Sequence, residues 1–130
     1  MKVNVKKCKI MRITRKKSPL VRDYHINGQS LDSVHIYKDL GLLTSSNLSW
    51  NSHIGSITAR ANRGLGLVKT TSKDFKDITT LRTLYCSLVR PFMLEYSCET
   101  WTPHTQRNSN RLEAIQRRTT KFILKSNGGL

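Results

Sequence analysis

Eight carboxylates are the residues of this chain best suited to chemistry at phosphorus: Asp23, Asp32, Asp39, Asp74, Asp77, Glu95, Glu99 and Glu113. Phosphoryl transfer by two metals needs clustered carboxylates holding the ions about 3.5–4 Å apart. Close pairs occur twice, Asp74 with Asp77 and Glu95 with Glu99. Both pairs read as acids at helix starts or on a solvated surface, where the positive end of the helix dipole favours them. Cys8, Cys86 and Cys98 are an odd set without Cys-x-x-Cys spacing, which argues against a disulfide framework and for a reducing, intracellular setting, nuclear or cytoplasmic. His104 follows Cys98 by six residues with no second pair of metal-ligand type, so no zinc site is expected. Neither a catalytic residue nor a metal ligand is assigned.

What remains is charge. Lys and Arg number 23 against 8 acids, a net +15 on 130 residues, and only 37% of the chain is hydrophobic. A protein this basic is directed to a polyanion, most often nucleic acid. The start is acid-free up to Asp23, with Lys2, Lys6, Lys7, Lys9, Arg12, Arg15, Lys16, Lys17 and Arg22 before it. β-Branched residues interleave with these cations, unlike the Ser-rich amphipathic helix of a transit peptide. No apolar run approaches 18 residues, so no membrane span is expected.

The elements that must position these charges divide into a β-rich stretch, 1–45, and a helical one, 46–130. The length supports one domain, or one small domain with a subdomain. Lysines alternate with apolar residues around Cys8, Ile10, Met11 and Ile13, as in a strand with one basic face. Asn27-Gly28 after Tyr24-His25-Ile26 suits the two positive φ angles of a type I′ hairpin, with Gln29 to Leu31 returning. Gly41 breaks the apolar stretch Val34 to Leu43 and predicts a tight bend. Together these make a small antiparallel sheet.

From Trp50 the period becomes helical. Ile54, Ile57, Ala61, Leu65 and Val68 form one stripe, weakened near its end by Gly64 and Gly66. A second helix starts at Asp74 or Asp77 as cap, with Ile78, Leu81, Leu84 or Tyr85, and Leu88 buried. A turn or short helix is expected over 92–96 and a loop over 102–105. The last helix carries Leu112, Ile115, Thr119, Phe122 and Ile123 on one face and basic residues on the others, and ends at Ser126-Asn127-Gly128-Gly129. Arg60, Arg63, Arg111, Arg117, Arg118 and Lys121 are placed to track phosphates. Trp50 and Trp101 could stack on bases, or anchor the core.

Several segments, in this order, resemble the reverse transcriptases of LINE-type (non-LTR) retrotransposons. Asn4 to Ile13 is similar to a palm segment that follows the polymerase active site in that family. Tyr37-Lys38-Asp39-Leu40-Gly41 resembles the primer-grip turn. Ser45 to Ile54, Ala61 to Leu67, Leu84-Tyr85, Leu88 to Pro91, Leu94 to Tyr96, Trp101-x-Pro103 and Leu112 to Arg118 are similar to thumb elements. The resemblance implies that Lys7 lies near the pyrophosphate leaving group, that Gly41 lets the backbone pass close to the primer, and that Lys38 lies within the grip. The family's catalytic aspartates precede this region, so the expectation is a C-terminal fragment without polymerase activity of its own, with the Mg²⁺ site in the missing part and no cofactor here. The fold class expected is α+β, a β-hairpin region followed by a thumb-like helical bundle. The partner expected is an RNA–DNA hybrid or another duplex held along its backbone; the alternative is a free-standing basic RNA-binding or interaction protein.

Overall fold

The structure, a computed structural model, describes residues 1–75, 77–91, 96 and 98–128. The fold class is α+β. The chain divides into two compact units, Met1–Ser52 and His53–Leu130.

Three two-stranded ladders make up the first unit. A short 3₁₀ turn at Val5–Lys7 forms because the Asn4 carbonyl accepts the Lys7 amide at 3.0 Å and the Cys8 Sγ–H at 3.3 Å. It shortens the strand expected around Cys8 to Ile13 to β1 (Lys9–Ile10). β1 pairs in parallel with β4 (Asp32–Ser33), and the Lys9–Asp32 pairing brings an ammonium within 2.8 Å of a carboxylate. That hydrogen bond holds the exposed Asp32 carboxyl below the usual range.

β2 (His25–Ile26) and β3 (Gln29–Ser30) form the expected hairpin, with Asn27 at φ 49° and Gly28 at φ 76°. β5 (Ile36–Asp39) and β6 (Leu42–Ser45) form a second one, registered Ile36 to Ser45 and Asp39 to Leu42. Its two-residue turn is Leu40-Gly41, at φ 48° and 84°. Gly41 is thus a turn glycine, and Leu40 occupies a left-handed conformation that costs a side-chain-bearing residue about 1–2 kcal/mol. The single antiparallel sheet of the sequence reading is therefore two separate hairpins and a parallel bridge.

In the helical unit the period-3.6 stripes become a core. α1 (Asn51–Thr71) buries Ile54, Ile57, Ala61, Leu65 and Val68, each 5% exposed or less. Gly64 and Gly66 do not end this helix. A Cβ on Gly64 would stand 3.0 Å from the Leu88 carbonyl oxygen and 3.4 Å from Val89 Cγ2, so this glycine lets the next helix approach closely. α2 (Ile78–Leu88) is capped by Asp77, whose carboxylate accepts the Thr80 amide at 2.9 Å; Asp74 lies in the turn before it. Leu81 and Val89 are fully buried, whereas Ile78 is exposed and Leu84, Tyr85 and Leu88 are half-buried. The element expected over 92–96 lies outside the described residues except for Tyr96.

α3 (Cys98–Trp101) leads through a loop to α4 (Gln106–Ser126), whose first turn is capped by Thr105. Leu112, Ile115 and Thr119 are buried along it, and Phe122 and Ile123 are half-buried. A threonine is tolerated in that stripe because its hydroxyl donates to the Ile115 carbonyl of its own helix at 2.9 Å. Thr58 does the same towards Ile54 at 2.8 Å.

Candidate nucleic-acid interface

Three contacts spaced by one heptad on α1 bring it beside α4. At Gly55 an added Cβ would meet Arg111 Nη2 at 3.3 Å, so the Arg111 guanidinium lies over the bare α1 backbone. Seven residues on, Asn62 Oδ1 accepts from Arg118 Nη1 at 3.2 Å. Seven further, Lys69 Nζ stands 5.6 Å from the centre of the Phe122 ring, within cation–π range. Residue numbers rise together in both helices, so α1 and α4 run parallel here. Seven residues are close to two helical turns, which returns Gly55, Asn62 and Lys69 to one side of α1.

This side of the bundle carries cations of one sign. Arg111 and Arg118 stand in one row of α4, and Lys121 lies three residues on from Arg118, one turn along the surface. On α1, Lys69 shares the facing row, and Arg63 follows Asn62 around the helix. The described acids of the unit lie off these rows. Asp74 sits in the turn after α1, Asp77 caps α2, Glu99 is in α3, and Glu113 pairs with Arg117 at 3.0 Å on another side of α4. Such single-sign rows can hold phosphates by charge without reading bases.

Among the described residues no three of His, Cys, Asp and Glu converge on a point that could hold a metal ion. No helix among the described residues is long and apolar enough to cross a membrane.

No protein-family model, no curated protein and no solved structure matches this chain.

The residues singled out from sequence are thereby sorted. Arg111 and Arg118 share the α1–α4 side, whereas Arg63 is about 100° around α1 from Asn62 and Lys121 lines a hollow with Glu113 and Arg117. Arg60 stands on another side of α1, two turns from His53, where its charge helps lower the histidine's pKa. Arg117 is one residue from Arg118 and hence about 100° around α4, engaged with Glu113. Lys7, Lys38 and Gly41 belong to the other unit. Lys7 closes the 3₁₀ turn and lines a hollow with Cys8, Met11, Ile26, Leu31 and Tyr37. Lys38 follows Tyr37 in β5, so strand alternation turns it to the opposite face.

Trp101 is a core anchor. It is 2% exposed, its Nε1 donates to the Tyr96 carbonyl at 2.8 Å, and its ring lies 5.5 Å from that of His53, tilted by 59°. Trp50 is half-buried. Burial, together with Arg60, holds His53 below the usual histidine pKa. Sequence reasoning missed the part played by Asn62 and Lys69, although their seven-residue recurrence from Gly55 was the available signal. It also missed Arg82 and Arg90, eight apart on the α2 stretch, which line a groove against α4.

Proposed function

We propose that the helical unit binds a nucleic-acid duplex along its phosphate backbone, without base readout. The observation that carries this reading is the parallel α1–α4 side, where Arg111, Arg118 and Lys69 stand in rows that no described acid shares. An RNA–DNA hybrid suits it, because A-like helices offer a wide, shallow minor groove flanked by phosphates. In the polymerase family that the chain resembles, such a unit would hold a primer–template behind the active site. The hairpin tip Lys38 to Gly41 would be the corresponding grip. The chain alone is proposed to have no polymerase activity, since its described acids are dispersed.

The test is fluorescence anisotropy of a labelled 12-bp RNA–DNA hybrid between 50 and 250 mM salt. About five phosphate contacts would weaken binding on the order of a thousandfold over this fivefold range, from a slope near 0.9 per contact. Replacing Arg111 and Arg118 by Gln lowers the slope by about two and weakens all sequences alike. Replacing Arg60 and Arg117 changes it less. Binding indifferent to salt, or a tenfold preference for one sequence, would overturn the reading. So would metal-dependent primer extension abolished by substituting one of the acids.

A further inference from the structure

On the other flank of α4 lies a second basic feature. Arg82, Tyr85, Cys86 and Arg90 of the α2 stretch face Gln116 and Thr120 of α4 across a groove of about 390 Å³. Its floor is Thr119, which is buried, and Ile123, which is half-buried. Among the described residues no carboxylate lines it. Arg82 and Arg90 are exposed, and the half-buried Tyr85 lines the groove with them. The phenol senses both its burial, which raises its pKa, and the nearby Arg90 charge, which opposes that rise.

We propose that this groove holds a single strand of nucleic acid, with phosphates on Arg82 and Arg90 and an unstacked base on Tyr85. The proposal rests on the reading of the helical unit as a nucleic-acid binder and gives it a second, separate site. Arg82 lies within α2 and Arg90 beyond its C-cap Val89, so the two guanidiniums come from separate parts of the groove's rim. The groove volume falls in the range that accepts a group of small-molecule size, enough for one base and its sugar. Cationic walls around an aromatic ring are the composition of single-strand sites, in which stacking is tolerant of sequence. A duplex keeps its base faces stacked inside and offers nothing to Tyr85. An acidic peptide would satisfy the arginines but leave the ring unused. The groove also carries hydrogen-bonding groups that do not depend on charge: the Gln116 amide, and the Thr120 hydroxyl, which already donates to the Gln116 carbonyl at 3.0 Å.

The experiment measures anisotropy of labelled 12-nucleotide oligo-U RNA and of the 12-bp hybrid on the full chain, at fixed salt. Replacing Arg82 and Arg90 by Gln should weaken the single strand roughly tenfold while leaving the hybrid within about twofold. Arg111→Gln with Arg118→Gln should do the reverse. Tyr85→Leu, which keeps an apolar side chain in place, should weaken the single strand roughly five- to a hundredfold. A readout that needs no variant is photo-crosslinking of RNA carrying 4-thiouridine to the unaltered chain, followed by trypsin. The adduct is expected on the peptide 83–107, because trypsin does not cut between Arg90 and Pro91. Equal losses for both probes, no loss for the single strand, or adducts confined to α1 and to peptides of α4 beyond the groove would overturn the proposal. Displacement of the RNA by an oligo-glutamate of equal charge as effectively as by oligo-U would overturn it too. Binding of the hybrid without binding of the single strand defeats this inference alone; binding of neither defeats the proposed function with it.

Discussion

The two units are alike in charge and unlike in packing. Residues 1–52 carry ten cations and three acids, and residues 53–130 carry thirteen and five. Yet every apolar residue that is fully buried lies in the helical unit, from Ile54 to Ile115. In the β unit the one buried side chain is Ser45, and Ile36, Tyr37 and Leu40 are exposed. A helix satisfies its own backbone and needs only one stripe covered. A two-stranded ladder satisfies half of its backbone and has marginal stability alone. Charge therefore says where each unit would go, and packing says how firmly it stands.

The largest test of this contrast is truncation. Leu81→Ala, at a side chain with no exposure, should cost roughly 2–5 kcal/mol in denaturant melts followed by helical circular dichroism. The same change at the half-buried Leu31 of the β unit should leave that transition nearly unmoved. Equal costs would mean that the two units share their stability.

A smaller effect probes the close approach of the helices. Gly64→Val forces atoms onto the Leu88 carbonyl and should destabilise by about 1–3 kcal/mol. Gly66→Ala meets nothing within 4 Å and should stabilise by up to about 1 kcal/mol, through helix propensity. Opposite signs two residues apart would confine the tight contact to one side of α1; the same sign would refute it.

Acid should separate the units as well. His53 has its folded pKa lowered by burial and by Arg60, so its neutral form is favoured in the folded state. The unfolded chain then takes up the proton first. Stability of the helical unit should be complete above the ordinary histidine value of about 6.5 and decline as pH falls below it. Thermal melts between pH 8 and 5 check this, and His53→Phe should flatten that part of the profile.

The smallest effect belongs to the β5–β6 tip. Leu40→Asn places a residue that tolerates positive φ before Gly41 and should relieve about 1 kcal/mol of strain. Slower amide exchange along β5 and β6, with the helical melt unchanged, is the expected result. A faster exchange would show that the exposed Leu40 side chain holds the hairpin.

The sequence by itself determined what depends on neighbours along the chain. The stripe Ile54 to Val68, the Asn27-Gly28 turn, a cap at Asp74 or Asp77 and the basic character of both units follow from local periodicity, turn chemistry and charge. The strand around Ile10 was misjudged in length because strand extent is set by a partner distant in sequence, here Asp32–Ser33. Gly64 reads only as a weak point of the helix because propensity sees a missing side chain and not the Leu88 carbonyl that needs the space. The same limit governs the interface. Arg111, Arg117 and Arg118 are equivalent as a list of cations, and only the packing of α4 beside α1 separates them. It lays Arg111 over Gly55 and joins Arg118 to Asn62, while Arg117 turns to Glu113. Which face of a helix meets its neighbour is fixed by long-range burial, and that is a property of the folded chain.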